Sequence, residues 1–184
     1  MELKGERLLP AGRDAAWKAL NDVDVLKLCV PGCESITATG ENQYEVAMTA
    51  AIGPVKSRFK GKMELADIQP PSAYTLKFDG SGGAAGFARG EAKVELAQVS
   101  ANETRLVYVA NAQVGGKLAQ VGSRLIDAAS GAMADKFFEA FAGQLAARAA
   151  PAAAGAPPPA APPQATLGFW SLFKAFLKRL FGGR

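Results

Sequence analysis

Apolar and polar residues alternate along much of the first two thirds of this chain. Residues 2–9 alternate loosely, and from Glu34 to Val114 the apolar side chains recur at every second position. A period of two is typical of β-strands that bury one face. Turn-forming residues divide the longer stretch into strand-like runs, so the pattern predicts an antiparallel meander. The runs cover residues 44–52, 55–68, 73–78, 87–99 and 104–114.

Two other segments have helical spacing. Residues 13–32 indicate two short helices that end at the Pro31-Gly32 turn. From Lys117 to about Arg148, apolar residues recur every three or four positions. A helix of roughly 30 residues is about 45 Å long, which is enough to cross a sheet. The pattern therefore predicts an α+β domain in which one long C-terminal helix packs on the antiparallel sheet.

Small side chains lie on both sides of the predicted contact between sheet and helix. The helix contains AASGAMA at residues 128–134, and the run at 87–99 aligns Ala88, Gly90 and Ala92 on one face. Small residues at such a contact either bring the two layers together or leave space between them. The sequence leaves both alternatives open. If space remains, we expect an apolar ligand-binding pocket lined by Phe59, Met63, Leu76, Phe78, Val94, Leu96, Leu125, Ala129, Met133 and Phe137.

The C-terminal part of the chain has a different composition. Residues 149–166 are almost all alanine, proline and glycine, which favours an extended linker. Placed on a helix, residues 167–181 separate into an apolar half and a basic half. This segment is about 22 Å long, too short and too charged to span a bilayer, so it suits the surface of an anionic membrane. The expected membrane-binding residues are Phe169, Trp170, Phe173, Lys174, Phe176, Leu177, Lys178, Arg179, Leu180 and Phe181.

Two alternatives exist for this amphipathic segment. Its apolar stripe would also suit a helix that packs on the globular domain, although the preceding linker argues against close docking. A basic amphipathic helix can also bind in the groove of a calmodulin-type protein. The sequence favours the membrane surface and leaves the other two alternatives to experiment.

The net charge of the chain comes from its C-terminal part. The 21 basic residues exceed the 17 acidic ones by four, and four basic but no acidic side chains lie after Pro151. The remaining part is therefore neutral, which is unsuited to a protein that binds nucleic acid phosphates. The N-terminal segment lacks a cationic start followed by an apolar run, and no stretch reaches the length of a transmembrane helix. We therefore expect a cytoplasmic protein.

Few residues of this chain are suited to catalysis. It has no histidine, which excludes the Ser-His triad and histidine-rich metal sites. Cys29 and Cys33 flank the Pro31-Gly32 turn and are too few for a structural zinc site, so we interpret them as small apolar residues. The glycine-rich segment 80–86 joins two strand-like runs and lacks the G-x-G-x-x-G pattern, which favours a hairpin loop. We expect no catalytic residue, no metal and no required cofactor.

Three segments carry a resemblance to a known family. They are VLKLCVPGCESI at residues 25–36, FKGKMELADIQPPSAYTLKFDGSGGAAGFARGEAKVEL at 59–96, and VGGKLAQVGSRLIDAAS followed by ADKFFEAF within 114–141. Over about residues 1–147 the chain resembles the carbon monoxide dehydrogenase G-subunit family, which belongs to the START-like, helix-grip superfamily. The resemblance implies a curved antiparallel sheet that wraps around a long C-terminal helix and a cavity. It also implies a non-catalytic accessory role, commonly described as recruitment of a molybdenum hydroxylase to the membrane.

These observations together predict a chain of three parts. They are a helix-grip domain at residues 1–148, a flexible Pro/Ala-rich linker at 149–166 and an amphipathic basic membrane anchor at 167–184. The expected partners are a molybdenum hydroxylase of the carbon monoxide dehydrogenase type, anionic lipids on the inner face of the cell membrane, and a hydrophobic small molecule. A quinone or a lipid is the expected ligand, since a redox enzyme at the bilayer needs an electron acceptor. The alternatives are an assembly factor for the hydroxylase and a helix-grip enzyme that acts on a hydrophobic small molecule.

Overall fold

Seven antiparallel strands form one sheet in the computed structural model, which describes residues 1–149. The order across the sheet is β1-β7-β6-β5-β4-β3-β2, so β1 pairs with β7 and all other neighbours are consecutive in the chain. The α+β fold predicted from the alternating pattern is confirmed. The strands are β1 (Glu2–Leu9), β2 (Cys33–Gly40), β3 (Gln43–Ile52), β4 (Val55–Gln69), β5 (Ala73–Ser81), β6 (Phe87–Ser100) and β7 (Glu103–Gly115).

Four α-helices accompany the sheet within the described residues. They are α1 (Arg13–Leu20), α2 (Val23–Cys29), α3 (Lys117–Gln120) and α4 (Ser123–Ala149). The two short helices and six of the strands match the predicted segments. Strand β2 lies outside the predicted runs, because its sequence CESITATG carries a single buried apolar side chain, Ile36.

The predicted helix from Lys117 to Arg148 is wrong in its first turns, because the chain forms two helices there. Gly122 separates α3 from α4 and has a φ of +91°, which a right-handed helix cannot contain. Leu118, on the single turn of α3, is fully buried. The long helix therefore begins at Ser123. Its side chains point in directions different from those they would have on one continuous helix that began at Lys117.

Helix α4 is packed more tightly at its C-terminal end than at its centre. Phe141 and Leu145 are 0% and 2% exposed and belong to one core cluster with Val25 of α2 and Leu106 of β7. Burial of a side chain such as Phe141 contributes about 1.5–3 kcal/mol to stability. Between this core and the buried Ile126, the facing side chains of α4 are only partly buried. The helix is thus fixed at one end, and space remains beneath its middle.

Two ion pairs connect α4 to the rest of the domain. Arg148 at its end donates to Asp22 over 3.0 Å, and Asp22 also accepts from the backbone N–H groups of Asp24 and Val25 as the N-cap of α2. These hydrogen bonds, led by that of Val25, lower the pKa of the Asp22 carboxyl below its ordinary value. Nearer the middle of the helix, Asp135 accepts a hydrogen bond from Arg7 of β1. Both pairs help to hold the helix across the sheet.

Apart from Ala149, which ends α4, the predicted linker and membrane anchor lie outside the described residues, from residue 150 onward. This includes all ten of the predicted membrane-binding residues. Among the helices of residues 1–149, none has the length and apolar character needed to cross a bilayer. The domain boundaries and the membrane anchor therefore stay predictions.

Candidate ligand-binding cavity

A cavity of about 370 Å³ lies between the inner face of the sheet and helices α2 and α4. Every strand contributes at least one residue to its wall, from Leu3 on β1 to Ile36 on β2. The lining has no charged side chain, and its polar members are Asn21 and the tyrosines Tyr44, Tyr74 and Tyr108. Small-molecule sites of about 300–1,000 Å³ with mostly apolar walls are typical of proteins that enclose a hydrophobic ligand.

The space exists because small residues face each other across it. Ala92 of β6 is paired in register with Ala110 of β7, and both line the cavity together with Ala134 of α4. Of the two alternatives that the sequence left open, the structure therefore shows the second, in which small residues leave space. Gly90 has a different role, since a Cβ there would collide with the Asn111 carbonyl oxygen. It allows the β6 and β7 backbones to approach closely.

Five of the ten residues predicted to form the pocket line this cavity. Met63, Leu76 and Val94 do so from β4, β5 and β6, and Met133 and Phe137 do so from α4. Their spacing follows the two periods of the sequence pattern, two along a strand and about four along the helix. Whether they bind a ligand stays a prediction.

Three predicted lining residues on the strands do not reach the cavity. The Phe59 ring packs against Gly82, in the turn after β5, where a Cβ would be 2.5 Å from the ring. Phe78 is paired with Met63 in register but lies one step beyond Leu76, the last cavity residue of β5. Leu96 is buried in the core cluster beside Leu106. The prediction was wrong for these three because the cavity is shorter than the strands.

Two predicted residues on the helix, Leu125 and Ala129, are also wrong as cavity-lining residues. Leu125 is 49% exposed, and its side chain lies near Gly53 in the turn between β3 and β4. Residues four apart on a helix differ by about 40° in direction. Leu125 and Ala129 are therefore rotated about 80° and 40° from Met133, which does line the cavity.

Much of the cavity wall was missed in the sequence. Helix α2 and the turn after it contribute Val23, Leu26, Val30 and Pro31. Val23, Leu26 and Val30 have the spacing of one helical face, but only the tertiary arrangement brings that face to the sheet. Tyr74 could have been identified from the sequence as a lining residue, because it is in phase with Leu76 on β5.

Aromatic contacts fix the orientation of several lining residues. The Tyr108 ring stacks on Phe138 with centroids 5.3 Å apart, and Phe138 also contacts Phe137 edge to face at 5.1 Å. The Tyr74 ring contacts Trp17 edge to face at 5.6 Å. Such contacts add about 0.5–1.5 kcal/mol each to the burial of the rings. The cavity therefore has a defined shape on its aromatic side.

The acidic residues and cysteines outside the cavity form no metal-binding cluster in the part of the chain that the structure describes. Within residues 1–149 no three His, Cys, Asp or Glu side chains come close enough together to hold a metal ion. Burial raises the pKa of both the Cys29 and the Cys33 thiol, which keeps them protonated near neutral pH. Glu64 and Glu91 lie opposite Lys77 in register on the outer face of the sheet. These are the features of a solvated charge ladder.

Solved structures share the fold of this domain. A conserved protein from Geobacillus kaustophilus is 30% identical with a TM-score of 0.76, and the match covers 80% of this chain and 96% of that one. A START superfamily protein from Mycobacterium smegmatis is 9% identical with a TM-score of 0.62, over 80% and 98% of the two chains. The Zhui aromatase/cyclase from Streptomyces sp. R1128 is 13% identical with a TM-score of 0.63, over 85% and 99%. The last two share the START-like helix-grip fold with this chain.

The family is identified from the sequence of the same domain. No curated protein matches the chain. The family profile of the carbon monoxide dehydrogenase G subunit (CoxG) matches residues 5–146, which is most of the chain and includes every residue of the cavity wall except Leu3. The resemblance seen in the sequence segments is therefore confirmed, and this chain belongs to the CoxG family.

Proposed function

We propose that this chain is a non-catalytic accessory protein that carries a hydrophobic molecule, with a quinone as the candidate, for a molybdenum hydroxylase of the carbon monoxide dehydrogenase type. The observation that carries the proposal is the apolar cavity of about 370 Å³ inside a domain of the CoxG family. A cavity without charged side chains is suited to bind an apolar molecule and has no acid–base pair to transform it.

The quinone follows from what the partner enzyme needs. A hydroxylase that oxidises its substrate must pass a pair of electrons to an acceptor. A quinone in the bilayer can take these electrons with a pair of protons and become the quinol. A carrier with an apolar cavity would shield the quinone ring from water on its way between the bilayer and the enzyme, since exposing apolar surface costs about 25 cal/mol per Å².

The second part of the proposal is recruitment to the inner face of the cytoplasmic membrane. It rests on the sequence of residues 167–184, whose basic and apolar halves suit an anionic lipid surface. The preceding linker would let the domain reach the hydroxylase while the anchor stays on lipid.

Native mass spectrometry of the full chain tests the ligand directly. The chain should be isolated from its own membranes in a mild detergent and sprayed intact. We expect one added mass per chain that equals a quinone of the host membrane and disappears when the protein is denatured. A phospholipid mass in its place would contradict the quinone, and a chain that never retains an apolar molecule would contradict the carrier function.

One observation favours a second candidate function. The Zhui protein, which shares the fold, is described as an aromatase/cyclase. An enzyme built on this cavity would have to use the tyrosine hydroxyls, because the lining offers no carboxylate, thiol or amine. It would convert an added aromatic precursor without any partner protein, whereas the carrier would release its ligand unchanged.

A further inference from the structure

Tyr74 lines the apolar cavity, and its hydroxyl group has no hydrogen-bond partner within residues 1–149. The residue is 8% exposed and lines the cavity from the centre of the sheet. Among residues 1–149, Arg13 Nε is the only side-chain polar atom that is both fully enclosed and unbonded. The Tyr74 oxygen also has no bonded partner there, so it must face free space, and the free space next to it is the cavity.

The other polar groups of the wall make a hydrogen bond within the domain or lie on strands nearer the edges of the sheet. The Asn21 side-chain amide donates to the Trp17 carbonyl oxygen over 2.9 Å. The Tyr108 hydroxyl lies over Gly5, where it fills the place that a Cβ would take, 2.6 Å from that position. Tyr44 lies towards the rim, where it is only partly buried. Tyr74, on the central strand of the sheet, is thus the tyrosine hydroxyl donor that lies farthest from either edge of the sheet.

Water is a poor partner for this hydroxyl. A buried water molecule typically makes about three hydrogen bonds, and the wall around Tyr74 consists of apolar side chains such as Leu76, Val94 and Phe137. An unbonded buried hydroxyl is itself unfavourable. Burial also raises the pKa of Tyr74 above its ordinary value, so the group stays protonated and available as a donor at physiological pH. An apolar molecule that carries an oxygen acceptor would match the apolar wall and would also accept a hydrogen bond from the Tyr74 hydroxyl.

We propose that the Tyr74 hydroxyl donates a hydrogen bond to a carbonyl oxygen of the bound molecule, so that the cavity selects carbonyl-bearing ring systems over hydrocarbons of the same size. This inference rests on the proposed ligand-binding function and adds the group that recognises the head of the ligand. The edge-to-face contact with Trp17 holds the Tyr74 ring and hence the direction of its hydroxyl.

Two probes of similar size separate the effect of a hydrogen bond from Tyr74 from the effect of cavity shape. We would titrate the full chain with dimethylnaphthoquinone, methylated at both free ring carbons beside the carbonyls so that it does not react with thiols, and with dimethylnaphthalene. The variants are Tyr74→Phe and the matched control Tyr108→Phe, since both tyrosines are 8% exposed and line the same cavity. The readout is the ratio of the affinity for dimethylnaphthoquinone to the affinity for dimethylnaphthalene. A general change in packing should affect both affinities alike and so change this ratio little.

We expect Tyr74→Phe to lower the preference for the quinone by about threefold to tenfold while dimethylnaphthalene binds as before. In Tyr108→Phe the preference should fall by less than in Tyr74→Phe. An unchanged ratio in Tyr74→Phe, or an equal loss in Tyr108→Phe, would overturn the inference while the carrier function stands. If the unmodified chain binds neither probe, the proposed function fails, and this inference with it.

Infrared spectroscopy keeps the inference testable if Tyr74→Phe does not fold. A hydrogen bond to the bound quinone lowers the stretching frequency of one carbonyl group in the unmodified chain. We expect one of the two carbonyl bands to shift on binding. Two bands at the frequencies found in a hydrocarbon solvent would overturn the role of Tyr74.

Discussion

Filling the cavity should abolish ligand binding and leave the domain at least as stable as before. Ala134 lies on α4, lines the cavity and is partly buried against the core cluster. In Ala134→Phe the new ring should occupy the space that the ligand needs. Ala129→Phe is the matched control, because it makes the same change on the same helix at a partly buried position outside the cavity wall.

The expected stability change follows from three terms. Complete burial of a phenylalanine side chain contributes up to about 1.5–3 kcal/mol. The lower helix propensity of phenylalanine costs about 0.5 kcal/mol, and local overpacking costs about 1 kcal/mol or more. The net effect of Ala134→Phe should therefore lie between zero and about +1.5 kcal/mol. That corresponds to a rise in Tm of up to roughly 3–6 °C for a domain of this size.

The assay combines calorimetric titration with dimethylnaphthoquinone and thermal unfolding without ligand. We expect at least a tenfold loss of affinity in Ala134→Phe with an unchanged or higher Tm, and an affinity close to that of the unmodified chain in Ala129→Phe. A folded Ala134→Phe variant that binds the probe normally would show that the ligand does not use this cavity. Equal losses in both variants would refute the assignment of the cavity wall.

Three further predictions concern other parts of the chain. Deletion of residues 166–184 should leave a folded domain that no longer sediments with anionic vesicles. The double variant Phe173→Glu with Phe176→Glu should have the same effect. Vesicle binding by the deletion variant, or its unfolding, would contradict the membrane anchor. Asp22→Asn should reduce stability above pH 3.8, the ordinary pKa of Asp22, because the lowered pKa in the folded state favours the carboxylate paired with Arg148. The difference from the unmodified chain in urea unfolding should shrink as pH falls through the lowered pKa, and a difference independent of pH would exclude the ion pair as its cause. The purified chain should turn over no small hydrophobic ester, ketone or thioester, and steady turnover that one substitution of a cavity tyrosine abolishes would favour the enzyme.

The strands of the sheet were predictable because the alternation of apolar and polar residues is a local feature of the sequence. Along β4 the side chains alternate between the inner face, with Phe59 and Met63, and the solvent face, with Lys60 and Lys62. Such alternation needs no knowledge of the rest of the chain. Strand β2 escaped prediction because it lies at the edge of the sheet and buries only Ile36, so its sequence has too few apolar residues to mark a separate strand-like run.

The cavity was only half predictable, because its limits depend on tertiary contacts. The break at Gly122 changes where the long helix begins, and the rotation of about 80° between Leu125 and Met133 turns Leu125 away from the cavity. The contribution of α2 depends on how that helix docks against α4, which no local pattern encodes. The small residues Ala92 and Ala134 signalled either close packing or space, and only the arrangement of the layers decides between them.

On the proposed function, the cavity supplies a hydrophobic electron acceptor to a membrane-bound hydroxylase. This is tested by the rate at which the purified partner hydroxylase, given its own substrate, reduces quinone held in anionic vesicles. We expect the full chain to accelerate quinone reduction. We expect Ala134→Phe to give the same rate as the hydroxylase alone while it still binds the vesicles and the enzyme. Equal acceleration by both proteins, or none by the full chain, would contradict the claim.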